Sequence, residues 1–381
     1  MMKNYFIIAL LFLAVNACAR NKSKNVTDNA VETIEVNLSN AGLLTYDEHF
    51  SSTILVPLET TEESLIAQID KLYITEKHII IFDQKTMNIL LFGIDGHFIG
   101  KIGHKGNGPG EYLFINDIQF NKKDSLIYAH ERYLNCIYKY NLSGQLIEKT
   151  PKSKIYFNSF HKTEDGYWVY SCFENDNPQK YNLMLLDEQL NKVKGAFFPQ
   201  ENFINASFLP TFMADEHDRL FFIYPSSNII YELQHENATP FAIIDFGRKT
   251  MPYDQIIKLK NSEEYDRLIA DKKYLGDVYN FKINKNSFFF SFRETGLNVA
   301  AFSYNAVYNF STGKVDIYKN PFIESMKYPV FTQLLYASDD VLIYPIYPMV
   351  LSEDSFTLLS KELSADIRFD SNPILAFLQI K

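Results

Sequence analysis

Four turn positions, Gly96, Gly144, Asn191 and Asn237, recur about every 47 residues, each inside a hairpin of two short apolar strands. The hairpins are LLFGIDGHFIGK from Leu90, IYKYNLSGQLIEK from Ile137, NLMLLDEQLNKVKG from Asn182, and IIYELQHENATPFAI from Ile229. A fifth, AVYNFSTGKVDIYK from Ala306, arrives late because an insertion precedes it. A repeat of this length, made only of strands, is the period of a propeller blade. Upstream of each hairpin lies a further strand pair reversed at an Asp/Asn/Gly turn: FINDIQF–NKKD–SLIYAHE, YFNSFHKT–EDG–YWVYSCF, FLPTFMA–DEHD–RLFFIYP and YNFKI–NKN–SFFFSFR. Adding a first unit over Ile66–Gly103 and a sixth over Val330–Ile380, the latter ending in FTLLSK and NPILAFLQIK, gives six four-stranded antiparallel blades. The fold class is therefore all-β, a six-bladed β-propeller over residues 31–381.

Closing the ring removes most open sheet edges, and closure calls for a strand from one terminus to complete the blade at the other. The alternating segment Thr33–Leu38 (TIEVNL) is expected to pair with the last blade as its outer strand; otherwise it is a loose surface strand. Between blades 4 and 5 the rhythm breaks. Ile256, Leu259, Leu268 and Ile269 fall near helical spacing, and NSEEYDRLIADKK carries charge pairs three and four apart. A short helical insertion over about residues 251–276 follows, either a lid or partner surface or a packed decoration.

Composition agrees with strands: 32 Phe and 25 Tyr stand against a single Trp. The net charge of -9, with no basic stripe, excludes a nucleic-acid surface. At the N-terminus, MMKNYFIIALLFLAVNAC has one early Lys and an apolar run too short to span a bilayer, which reads as an export signal over residues 1–17. Val15-Asn16-Ala17-Cys18 resembles the bacterial lipobox, making Cys18 the lipid-attachment residue; the other reading is a plain signal peptide. Residues 18–30 form a polar tether, and Arg20, Lys22 and Lys24 stand where an acidic export cluster would lie. The expected location is the outer membrane, facing the periplasm rather than the cell surface. Cys136 and Cys172 read as thiols inside strands of successive units, with a bridge as the lesser reading. No metal-ligand spacing occurs, and no metal or cofactor is expected.

The densest glycine cluster is Gly100–Tyr112, GKIGHKGNGPGEY, between the first two units. It lacks the Lys-Ser/Thr and the helix that a phosphate-binding loop needs, and a strand follows it. It reads as an inter-blade joint. Its one acid, Glu111, suits either a general base or a hydrogen-bond acceptor for the loop's own N–H groups.

IGHKGNGPGEYLFINDIQF followed by LIYAHERYLNCIYKYNLSGQLI resembles an NHL-type repeat. The whole chain resembles the six-bladed propeller lipoproteins common in Bacteroidota, through the lipobox, VPLET, GNGPGEY, IIYEL and SNPILAFLQIK. That family is largely uncharacterised, so the resemblance implies architecture and location but no activity.

In such blades the inter-blade joints and the turns between second and third strands emerge on one face, where propellers bind ligands by analogy of fold. Residues placed there are His104, Lys105, Glu111, Tyr112, Arg132, Tyr133, Arg293 and Tyr347, together with Gln84. Rings mixed with basic and amide groups suit a glycan or peptide. The acidic stretches Asp215–Asp218 and Asp339–Asp340 fall at turns on the opposite face and read as solvated. With no nucleophile elbow and no triad, the expected function is a membrane-tethered, non-catalytic binding or scaffold protein of the envelope, taking a glycan, a peptide or another envelope protein. The alternative is a propeller lyase or hydrolase acting on a sugar or lactone. The two differ in one feature: an enzyme should bring two carboxylates, or a His and a carboxylate, together at the central channel.

Overall fold

A computed structural model describes residues 31–172, 177–199, 212–225, 227–256, 258–269, 274–294, 303–364 and 366–381. The signal, Cys18 and the tether lie outside the described residues. The chain forms six antiparallel sheets arranged as a propeller. Blade 1 runs through Lys71–Ile74, His78–Asp83, Asn88–Gly93 and Phe98–Lys101. Blades 2, 3, 4 and 5 begin at the inner strands Ile115–Asn121, Ser159–Thr163, Phe212–Ala214 and Leu275–Ile283. Second and third strands are buried on both faces, as Ile79–Phe82 and Ile89–Phe92 show, because each blade packs between two others. The apolar clusters accordingly run between neighbouring blades; one joins Ile80 and Leu91 of blade 1 to Ile118 and Tyr138 of blade 2.

Ring closure differs from the expected pairing. Thr33–Leu38 does not complete the last blade: Glu32–Glu35 instead pairs in parallel with Asn237–Asp245, adding a fifth strand to blade 4. Closure falls to Phe50–Pro57, which pairs antiparallel with Ile374–Ile380 over seven residue pairs as the outer strand of blade 6. A strand arriving from the N-terminus thus does close the ring, but it is the next one along. FTLLSK is also corrected, since it lies in the helix Glu353–Leu363 between the third and second strands of blade 6 counted from outside. Ser352 caps this helix by accepting from the Ser355 N–H at 3.2 Å, two acids occupy its first turn, and Leu359 is fully buried.

The seam is locked by side chains. Buried Asn372 donates to the carbonyls of Glu59 and Ser64, both at 2.8 Å, and accepts the Ile66 N–H at 2.9 Å. The terminal NPIL is in this way clasped to the segment after VPLET. Gly96 lies beside the same seam at φ 91°, where a Cβ would stand 2.2 Å from the Pro57 carbonyl oxygen. A turn glycine there is dictated by the closing strand as well as by φ.

The helical insertion between blades 4 and 5 is present as Tyr253–Ile256 and Ser262–Ile269. Asn261 opens the longer helix by accepting the Glu264 N–H at 3.0 Å. Met251, Ile256 and Tyr265 form a small core of their own with Leu259, Leu268 and Tyr274. Cys136 and Cys172 are not joined by a disulfide. No helix among the described residues is long and apolar enough to cross a membrane.

Candidate functional site

The Gly100–Tyr112 joint folds on itself. Glu111 accepts the Gly108 N–H at 2.7 Å, and the Tyr112 N–H donates to the His104 carbonyl at 3.0 Å. The Tyr112 ring is buried, and its hydroxyl donates to the Met87 carbonyl at 2.9 Å while Tyr140 donates to Gly110 at 2.9 Å. Gly103 sits at φ 68° with both rings 3.0 Å from where a Cβ would be. His104 and Lys105 remain exposed at the joint's rim. Arg132 is exposed and donates to Asn158 of the next blade; Tyr133, 64% exposed, meets Phe114 edge-on. Arg293 pairs with Asp277 and lies over the Tyr279 ring at 5.2 Å. Tyr347 donates to Gln333 at 3.4 Å and packs edge-on against Phe331.

None of these eight residues lines the large cavity of the molecule, although Gln84 does. That cavity, of about 1320 Å³, is the central channel walled by the first strands of the blades. Arg293 and Tyr347 stand one layer behind it, buttressing Tyr279, Phe331 and Gln333.

The channel wall carries charge. Lys71 of blade 1 meets Asp117 of blade 2 at 2.5 Å and donates to the Ile118 carbonyl at 2.9 Å. Asp117 also accepts the N–H groups of Ile118 (2.8 Å) and of Phe160 in blade 3 (3.0 Å). Burial works against the Lys71 ammonium, but the Asp117 carboxylate outweighs it and holds its pKa above the ordinary value. His161 lies on the adjacent inner strand, 3.1 Å from the Gln119 amide; burial, helped by the charges of Lys71 and Lys162, lowers it to about 3, so the imidazole is neutral. Lys282 enters from blade 5. A polar chain of Ser291, Asn305 and Thr332 completes that side, with bonds of 2.8 and 3.0 Å.

At the face carrying the turns between first and second strands, the turn after Phe212–Ala214 reaches over the channel mouth. The Glu216 carbonyl accepts from Lys122 of blade 2 at 3.5 Å, and the Glu216 carboxylate accepts the Asp339 N–H of blade 6 at 3.1 Å. Neither blade is a neighbour of blade 4, so this turn narrows the opening. The reading of these acidic stretches as solvated turns holds for the exposed Asp218 and Asp340 and is corrected for Asp215, which is buried and paired with Arg219 at 2.7 Å, and for Glu216, which lines the channel half-buried. Glu216, His217 and Asp339 bring one ligand atom each within 4.8 Å of one another, an arrangement that could hold a divalent cation or move a proton. Lys285 lies 3.6 Å from Asp339 and would compete with a cation there.

The sequence did hold a signal for the wall. Polar residues interrupt otherwise apolar first strands: Lys71 in KLYI, Asp117 and Gln119 two apart in INDIQFN, His161 in SFHKT, Lys282 in the fifth. Of these, Lys71, Gln119, His161 and Lys282 line the channel, while Asp117 is buried beside it.

Over residues 31–379 the chain matches the family described as "Domain of unknown function (DUF4934)". The chain belongs to that family. Among solved structures it is similar to the "Putative exported protein" of Bacteroides fragilis NCTC 9343, at 15% identity and TM-score 0.71, covering 92% of this chain and 100% of that one. It is also similar to a member of the duf4221 family from Bacteroides vulgatus, at 12% identity and TM-score 0.57, covering 87% and 97%. A catalytically inactive virginiamycin B lyase from Staphylococcus aureus is more distant, at 9% identity and TM-score 0.41 over 86% and 99%, a likeness too loose to bear on chemistry. A search among curated proteins found no match. The likeness to the two Bacteroides proteins, over most of each chain, agrees with the six-bladed fold.

Proposed function

We propose that this is an exported, lipid-anchored propeller of the cell envelope whose central channel takes a sugar or lactone and acts on it as a lyase or hydrolase. One observation carries the reading: exposed His217 stands with the carboxylates of Glu216 and Asp339, and Glu216 lines the central channel. A His–carboxylate group is what separates an enzyme of this architecture from a binder. General acid–base transfer by such a group is worth about 10²–10⁴ in rate. Anchoring rests on Cys18 in its lipobox-like context, and the exported description of the Bacteroides fragilis relative supports the location. The anchor is assigned to the outer membrane, and the basic residues after Cys18 favour its periplasmic side over the cell surface.

A second reading, a non-catalytic glycan or peptide binder, is favoured by a different observation. Phe212, Phe331 and Tyr279 line the channel among amide side chains, a surface suited to the CH faces of sugars. The experiment that separates the readings follows turnover of a panel of glycans and lactones by the mature protein, with His217→Gln and Glu216→Gln as test variants and the exposed Lys314→Ala as control. The enzyme reading expects turnover that falls by about 10²-fold or more in the two test variants. Saturable binding without turnover across the panel would overturn it in favour of the binder.

A further inference from the structure

The inner strand of blade 5 is the most distorted first strand among the described residues. Leu275–Ile283 loses register with Ser287–Glu294 twice, between Gly276 and Tyr279 and again between Tyr279 and Lys282. Asp277 and Asn280 both take left-handed backbone conformations, with φ of 51° and 48°. Bulges of this kind re-aim side chains and gather beside functional sites. Here Tyr279, Asn280 and Lys282 all line the central channel.

Lys282 differs from Lys71 and Lys162, the inner-strand lysines that hold Asp117 and Glu188. Its ammonium has only weak acceptors, the Asn280 side-chain oxygen at 3.3 Å and the Phe281 carbonyl at 3.4 Å. Among the described residues no carboxylate lies within ion-pair reach of it, whereas Lys71 holds Asp117 at 2.5 Å. Burial, reinforced by the charge of Lys71, lowers Lys282 to about 8. It therefore remains mainly charged near neutral pH. Lys282 thus brings to the channel lining an ammonium that no carboxylate among the described residues pairs with.

We propose that Lys282 is the seat of an anion-binding subsite in the central channel, and that the group it takes is a carboxylate carried by the substrate, as on a uronic acid. This rests on the channel being the substrate site. A single ammonium without a carboxylate partner suits a monoanion, and a carboxylate matches it one for one. The Asn280 amide lies beside Lys282 to donate to a second oxygen, and the Tyr279 ring supplies the apolar flank a pyranose needs. Both reaction classes considered above involve such a group: opening a lactone creates a carboxylate, and a carboxylate next to a C–H bond is what makes elimination from a sugar feasible.

The test uses the mature wild-type protein with galacturonate, galactose and inorganic sulfate as probes. Lysine acylation is run at mildly alkaline pH and each modified lysine is mapped by mass spectrometry, with exposed Lys105 as the internal reference. Galacturonate is expected to slow acylation of Lys282 and galactose to leave it unchanged. Calorimetry on Lys282→Met is expected to show galacturonate binding weakened on the order of tenfold to a hundredfold, the loss of one charge-assisted hydrogen bond. Equal protection by galactose, or protection by sulfate alone, would overturn the carboxylate subsite while leaving the channel as a binding site. Failure of both sugars to bind would instead remove the channel reading itself. Because the labelling needs no variant, the proposal stays falsifiable even where Lys282→Met fails to fold.

Discussion

Asn372 offers the sharpest test of how the ring is held shut. Its amide satisfies three backbone groups, the carbonyls of Glu59 and Ser64 and the N–H of Ile66, and it is 3% exposed. Asn372→Ala leaves these three groups without their partner in a site too closed to admit full hydration. At about 1 kcal/mol for each group, the lower end for an unsatisfied buried partner, the loss is about 3 kcal/mol. Unfolding entropy of about 2.1 cal/mol/K per residue over roughly 350 residues gives about 0.7 kcal/mol/K, so Tm should fall by about 4 °C. Asn372→Asp keeps the acceptor for Ile66 but turns a carboxylate towards two carbonyls, so it should be no milder than Ala. Thermal melts followed by near-ultraviolet circular dichroism read both, with Asn88→Ala as control, since Asn88 only donates to exposed Thr86. A shift for Asn372→Ala within 1 °C of the control would refute the clasp.

Two further outcomes test separate parts of the argument. Burial of His130, stacked on Phe157 at 4.1 Å, holds its imidazole near 3, well below the ordinary value of 6.5. The unfolded chain therefore takes up a proton that the folded one refuses; the stabilisation is complete above pH 6.5 and is lost as pH falls towards 3, at about 1.4 kcal/mol per pH unit. His130→Phe should flatten the dependence of urea stability on pH between 6.5 and 4.5, and an unchanged slope would exclude this origin. Cys18→Ser should move the protein from the membrane fraction to the soluble fraction of cells; continued membrane fractionation would contradict lipid anchoring.

What the sequence made legible was whatever depends on local period and turn chemistry. Gly96 and Gly144 do adopt positive φ, 91° and 80°, because each is the last residue of a three-residue hairpin loop, the position that takes the left-handed conformation. The closing strand was not legible: TIEVNL and FSSTILVP both alternate, and only the partner edge available after folding decides between them. The Glu353–Leu363 helix was missed because a short apolar run such as FTLLSK fits strand and helix alike. Its cap, Ser352 followed by two acids, was the overlooked clue. The candidate site moved for a related reason. Loops drew attention through glycine and charge, whereas the groups that face the channel are single polar letters inside strands.

Those letters do not weigh equally as evidence of function. Asp117 accepts N–H groups from its own blade and from blade 3, so it pins two blades whatever else it does. Lys71 neutralises it and ties back to Ile118, so the pair is accounted for by assembly. A buried ion pair of this kind is often no better for stability than apolar packing, yet removing one member costs about 3–5 kcal/mol. Variants at either residue would thus report folding before chemistry. His161 is neutral and bound to Gln119, which also fits a structural part. Lys282 has no such account. Its strand gives up two register positions to deliver it, it stabilises no partner strand, and burial works against its charge. A feature that costs folding free energy and returns none to the fold is where a ligand is the simplest explanation. Lys282 on blade 5 is therefore a stronger pointer to a ligand than the more conspicuous ion pair between blades 1 and 2.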